Sequence, residues 1–156
     1  MTRPDIDPTF AQRQIDVFGD DGRAWVARLP ALLDEWAARW DIAIGAPYAL
    51  SYNYVAPAMR SDGTRVVLKA GVPRDDIAHE FAALRHWDGD GAVRVYECDL
   101  EAGVALIEHV APGDRITTID DADATRIAAR IMRRIAARPL PVDHAFPTVE
   151  EWGRAF

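Results

Sequence analysis

Arg65-Val66-Val67-Leu68-Lys69-Ala70, followed closely by Asp75-Asp76-Ile77-Ala78-His79-Glu80-Phe81, decides how this chain is read. The first segment is rich in β-branched residues and predicts a strand. Side chains alternate across a strand, so Val67 and Lys69 share one face and Val66 and Leu68 the other. A lysine on the face of an apolar residue needs a partner or a ligand. Pro73, Asp75 and Asp76 open a helix whose apolar stripe is Ile77, Phe81, Leu84 and Trp87, and Asp88-Gly89-Asp90-Gly91 ends it. Glu80 lies three residues after Ile77 and four before Leu84, which sets its carboxylate at that stripe and toward the sheet. The spacing predicts a Lys69–Glu80 ion pair. Such a pair would hold an ammonium in one place, where it could meet a phosphate oxygen. Taken singly, each residue also reads as a solvated surface charge.

Working outward, residues 1–21 are mixed and turn-rich and read as an extended arm with a short helix near Phe10–Phe18. Trp25, Leu29, Leu32, Trp36 and Trp40 then recur at helical steps on one face. Pro30 interrupts them, and proline is best tolerated as the first residue of a helix, so the pattern predicts two helices, Gly22–Leu29 and Pro30–Asp41. Leu50, Tyr52 and Tyr54 alternate as in a strand, and Ser61-Asp62-Gly63-Thr64 is a hairpin turn before Arg65. Two further strands are expected near Val93–Cys98 and Val104–Val110, the second broken by Ala111-Pro112-Gly113. A helix over Asp121–Ala137 carries the stripe Ile127, Ile131 and Ile135, with an acidic first turn and a basic last turn that suit its dipole. Short antiparallel strands with one inserted helix make an α+β fold rather than a parallel α/β sheet. Thr148-Val149-Glu150-Glu151 has the form of a capping box. A helix so capped yet ending at Phe156 is marginal in water, so the polypeptide is expected to continue.

Composition narrows the function classes. The chain has 156 residues, 49% hydrophobic and 28% charged, with a net charge of −7, which argues against a general nucleic-acid binder. Its single cysteine, Cys98, suits a reducing cytoplasm, and no apolar run predicts a signal peptide or a membrane span. Metal motifs fail: His79-Glu80 begins like H-E-x-x-H, but position 83 is Ala83. His86, His109 and His144 show no paired ligand spacing with Cys98, and Asp88–Gly91 is too short for a calcium loop. Arg126, Arg130, Arg133 and Arg134 read as a solvated helix face.

Val66-Val67-Leu68-Lys69 resembles the V-A-I-K strand of protein-kinase-like folds, and Glu80 matches their helix glutamate. Glu108-His109-Val110, after two strands, resembles the hinge between kinase lobes. With Leu29-Pro30-Ala31-Leu32 before Trp40, Tyr54-Val55-Ala56-Pro57-Ala58 and Ile107-Glu108-His109, the wording is similar to the streptomycin 6-kinase and hydroxyurea-resistance branch of the aminoglycoside phosphotransferases. The resemblance spans about Gly22 to Trp152.

The resemblance implies a kinase-like N-terminal lobe, a twisted antiparallel sheet with a packed helix and flanking helices, over residues 22–110. Residues 111–156 would be hinge and linker helices, and the C-terminal lobe would be absent. It implies ATP with Mg²⁺ as cofactor and a hydroxyl of an aminoglycoside-like small molecule as acceptor. Lys69 would contact the α- and β-phosphates and Glu80 would fix it. Val67 would pack on the adenine, and Val55 belongs to the same cofactor site. Backbone groups of Glu108 and Val110 would bond the adenine edge, and the loop bearing Ser51 and Asn53 would cover the phosphates. Two departures stand out. Ser51-Tyr52-Asn53-Tyr54 has no glycine, where protein kinases use a Gly-rich loop. No H-G-D or H-R-D segment occurs in the 156 residues, so the catalytic base and the Mg²⁺ ligands are not in this chain. The expectation is an ATP-dependent small-molecule kinase by family, inactive as this piece. The alternative is a non-catalytic nucleotide- or partner-binding module.

Overall fold

A computed structural model describes residues 6–142, 144 and 146–153; the polar start Met1–Asp5 and the end at Phe156 lie outside the described residues. The elements run α1 (Pro8–Arg39), β1 (Ile42–Ile44), β2 (Tyr54–Arg60), β3 (Arg65–Ala70), α2 (Asp75–Trp87), β4 (Val95–Asp99), β5 (Val104–Glu108), a 3-10 turn (Ile116–Thr118), α3 (Asp121–Ala137) and α4 (Val149–Gly153). The five strands form one antiparallel sheet in the order β1-β2-β3-β5-β4. The α+β expectation is therefore met. The Asp-Gly turn closes β2 on β3, with Thr64 N–H donating to Asp62 Oδ1 at 2.8 Å.

The pleat sorts the sheet into two apolar faces. Ala56, Leu68 and Leu106 lie in register and are buried together with Trp25, Leu29, Leu32, Leu33 and Trp36 of α1. On the other face Val67, Ala105 and Ile107 pack with Ile77 and Phe81 of α2. Fully burying a side chain such as Leu29 or Phe81 stabilises the fold by about 1.5–3 kcal/mol. β3 has neighbours on both edges and a helix over each face.

Three sequence expectations are corrected. First, the helix does not restart at Pro30. Pro30 lies inside α1, and the break falls at Gly19, whose φ of 61° and ψ of −130° are non-helical. Proline in a helix interior costs about 3 kcal/mol. The stripe Trp25, Leu29, Leu32, Leu33, Trp36 runs straight through it, every member at most 6% exposed, and that burial outweighs the lost bond. Gly19 takes the turn because a positive φ carries no Cβ penalty there.

Second, the helix expected near Phe10–Phe18 forms but is not an extended arm. Phe10 is 2% exposed and meets Trp25 edge-on, at 6.1 Å between ring centroids. Third, the alternation at Leu50, Tyr52 and Tyr54 is not a strand. Tyr54 opens β2, whereas residues 45–53 form a loop, with Leu50 partly packed on the α1-side core and Tyr52 exposed. Three residues of alternation do not set a strand when backbone carbonyls have side-chain donors to meet, as Leu50 and Ser51 do. The three-residue strand β1 is too short to leave a periodic signal in the sequence.

The expected capping box forms: Thr148 N–H donates to Glu151 Oε2 at 2.6 Å, and Glu151 N–H donates to Thr148 Oγ1 at 3.1 Å. These bonds from Thr148 hold the Glu151 carboxyl below the usual carboxylate range. The α3 stripe stays largely open, with Ile127 38% and Ile131 40% exposed. The C-terminal end of α3 is tied to the end of α2 and the turn after it. Arg134 pairs with Asp90, and Arg138 Nη1 donates to the Trp87 carbonyl at 2.9 Å.

Candidate functional site

β3 and α2 bring Lys69 and Glu80 together. Their packing through Val67, Ile77 and Phe81 sets the distance between strand and helix, and the Lys69 ammonium forms a direct ion pair with Glu80 Oε1. The lysine side chain is 15% exposed and the glutamate 36%, so the pair sits at a boundary, with its carboxylate side wet. A pair in that setting contributes only about 0–1 kcal/mol to stability. What it does is positional, since it fixes a compact cation with further N–H donors to spare.

The register gives the surroundings. Lys69 stands opposite Val55 on β2 and Ala105 on β5, and Val67 stands opposite Pro57 and Ile107. Val55, Val67 and Lys69 thus share the face on which α2 packs. Further toward β1, that face opens into a shallow cavity of about 300 Å³ whose lining includes Ala43, Pro57, Met59, Arg65 and His109.

The loop of residues 45–53 enters β2 immediately before this row. Its base is pinned by Gly45 N–H to the Pro57 carbonyl at 2.8 Å and Tyr48 N–H to the Val55 carbonyl at 3.0 Å. Near its end, Arg13 Nη1 donates to the carbonyls of Leu50 at 3.2 Å and Ser51 at 3.3 Å. Asn53 lies against Gly71, just past the end of β3, where a Cβ would overlap both Asn53 Oδ1 and Ile77 Cδ1. A side chain at 71 would have to push the ends of Asn53 and Ile77 aside. A larger cavity, about 480 Å³, lies between this loop and the start of α1, lined by residues including Asp7, Phe10, Arg13, Tyr48 and Tyr54. It is on the opposite side of the sheet from the lysine–glutamate pair.

The expected hinge residues lie at the other end of β5. Glu108 pairs with Val66, three residues from the Lys69 row, or about 10 Å along the strand. Its N–H already donates to the Arg94 carbonyl at 2.9 Å, and its carboxylate accepts from Arg94 N–H at 3.1 Å. Of its backbone groups, the carbonyl is the one that a ligand edge would have to use. Val110, past the strand, is 54% exposed.

One signal in the composition bears on the site. The sequence's 18 Lys and Arg residues include a single lysine, Lys69. Every other such position is arginine, so Lys69 is the one place where the side chain is a compact ammonium. Sequence reading of motifs alone also passed over Arg13, for which no local pattern exists, because its partners are 37 and 38 residues away. Among the described residues no group of three or more His, Cys, Asp and Glu is placed to hold a metal ion. No described helix is long and apolar enough to cross a membrane.

Comparison with known proteins is specific. A family model described as aminoglycoside/hydroxyurea antibiotic resistance kinase matches residues 40–155. A streptomycin 6-kinase of Streptomyces glaucescens is 34% identical over 139 residues, covering 88% of this chain and 45% of that protein. A hydroxyurea phosphotransferase of Kitasatospora aureofaciens is 33% identical over 135 residues, covering 86% of this chain and 39% of that protein. The chain spans less than half the length of these curated relatives. No solved structure matches it.

Proposed function

Because this chain belongs to the aminoglycoside/hydroxyurea antibiotic resistance kinase family, we propose that it forms the nucleotide-binding half of an ATP-dependent phosphotransferase acting on a hydroxyl of an aminoglycoside-like small molecule. The single observation that carries the reading is the Lys69–Glu80 ion pair, formed between a central strand and the helix packed on it.

In this reading the Lys69 ammonium, steered by Glu80, meets the α- and β-phosphate oxygens. Phosphoryl transfer asks the protein chiefly for positioning and for charge neutralisation, and a fixed ammonium supplies both on the nucleotide side. Val55 and Val67 give the base an apolar floor. The Glu108 carbonyl and the Val110 backbone would take the base edge. Ser51 and Asn53 lie in the loop that would cover the phosphates. The β5 rows from Ala105 to Glu108 provide the length a nucleotide must span from phosphates to base. Mg²⁺, the acceptor and the catalytic base would be handled by residues outside these 156, since no H-G-D or H-R-D segment occurs among them. By itself the chain would bind nucleotide weakly and transfer nothing.

Titration of the chain with ATP, followed amide by amide in NMR spectra, tests this reading. It predicts shifts at Val67–Ala70, in residues 45–53 and at 108–110. Shifts confined to other surfaces, or no response at millimolar ATP, would reject it.

A further inference from the structure

We infer that Arg13 is a positioning residue for phosphate binding: from α1 it turns two successive peptide planes of the β1–β2 loop, so that the Ser51 and Tyr52 N–H groups form an anion cradle on the Lys69 side of the sheet. The inference rests on the nucleotide reading proposed above and goes beyond it in saying what shapes the loop.

In a trans peptide the carbonyl of one residue and the N–H of the next point in opposite directions. Arg13 Nη1 accommodates the Leu50 carbonyl at 3.2 Å and the Ser51 carbonyl at 3.3 Å with its two hydrogens. The Ser51 carbonyl also accepts from Gln14 Nε2 at 3.4 Å, and Gln14 is fully buried. Both carbonyls are therefore drawn toward α1. The N–H groups following them, on Ser51 and Tyr52, must point away from α1. α1 covers the face of Ala56, Leu68 and Leu106, and Lys69 lies on the other face of the sheet.

Those two N–H groups are also uncommitted. Among the described residues neither has an acceptor, and Ser51 and Tyr52 are both exposed. Successive N–H groups aimed to one side make a small concavity for an anion. The next residue, Asn53, is held against Gly71, which anchors the exit of the loop at the end of the lysine strand.

This arrangement accounts for a loop without glycine. A Gly-rich loop brings its N–H groups to phosphate through its own conformational freedom. Here the conformation is imposed from outside by one nitrogen of a planar guanidinium, whose two fixed hydrogens meet two carbonyls at once. Lysine at 13 would bring a mobile point charge in place of the fork.

The test uses the whole chain with inorganic tripolyphosphate, ATP and adenosine as separate probes. In the wild type, tripolyphosphate is expected to shift the Ser51 and Tyr52 amide signals. Arg13→Ala should weaken ATP and tripolyphosphate by about fivefold or more while leaving adenosine unchanged, with Arg13→Lys in between. Should Arg13→Ala not fold, Arg13→Lys carries the same comparison: weaker ATP and tripolyphosphate with unchanged adenosine supports the role, and wild-type affinities for all three overturn it. Silent Ser51 and Tyr52 amides would overturn the inference, as would equal weakening of adenosine and ATP. Normal ATP binding by Arg13→Ala alongside loss in Lys69→Met would overturn the role of Arg13 and leave the nucleotide reading standing. A wild type that binds neither ATP nor tripolyphosphate would overturn both.

Discussion

Lys69 on β3 and Glu80 on α2 are joined in an ion pair across the interface of strand and helix, although they stand 11 positions apart in sequence. The pair is half-wet and placed beside an open stretch of sheet, which is where a ligand-directed cation is useful and a structural one adds little.

Lys69→Met should therefore leave folding nearly intact. The expected change in unfolding free energy is within about 1 kcal/mol, measured by urea denaturation. ATP affinity of the same variant should fall. A large loss of stability would recast the pair as a structural tie.

Tyr54 gives a pH prediction. Its side chain is 1% exposed, its hydroxyl has no partner among the described residues, and burial pushes its pKa above the ordinary 10.0. The raised folded value means that its contribution to stability is full below the unfolded value and is lost as pH rises through the folded one. Tyr54→Phe should be as stable as the wild type or up to about 1 kcal/mol more stable near neutral pH. It should also lose less stability than the wild type as pH rises above the ordinary value of 10.0. Identical alkaline profiles for the two proteins would contradict this.

Gly19 and Pro30 separate the observed helix from the one the sequence suggests. Gly19→Ala places a Cβ on a positive φ and should destabilise by about 1 kcal/mol. Pro30→Ala restores a helix N–H and should be neutral or stabilising. The reverse order in thermal denaturation would place the break at Pro30.

The stripe of α3 should be sticky. Ile127 and Ile131 are more than a third exposed, Met132 is 68% exposed, and Leu140 and Val142 beyond the helix are open as well. Such an array exceeds the scattered apolar residues normal on a surface. The chain should bind a dye for apolar surface and self-associate on concentration, measured by sedimentation. Ile131→Glu should reduce both without lowering the melting temperature. A monomer at high concentration with no dye binding would count against it.

What the sequence disclosed was what local pattern can encode. The alternation in Val66–Lys69 and the helical spacing of Ile77, Glu80 and Phe81 were enough to put lysine and glutamate at one interface, because β3 and α2 follow each other closely in the chain. The Asp-Gly turn and the Thr148–Glu151 box are equally local. The break at Gly19 was hidden because proline is the stronger local signal, while the packing that overrides it belongs to the sheet. The loop at 45–53 was hidden because its last residues meet Arg13 and Gln14, contacts with no trace in its own residues. The part of Glu108 was legible only in outline, since nothing local shows that its N–H is taken by Arg94.

The presence of a single lysine makes one measurement decisive. An acyl-phosphate derivative of ATP places a reactive carbonyl beside the phosphates; an amine there attacks it, forming an amide and releasing ATP. Mass mapping of the labelled chain distinguishes Lys69 from the only competing amine of that kind, the N-terminus. The account predicts that Lys69 is acylated first and that excess ATP protects it, while adenosine protects less. Acylation of Lys69 no faster than of the N-terminus, and unaffected by ATP, would contradict the claim that Lys69 faces a nucleotide's phosphates.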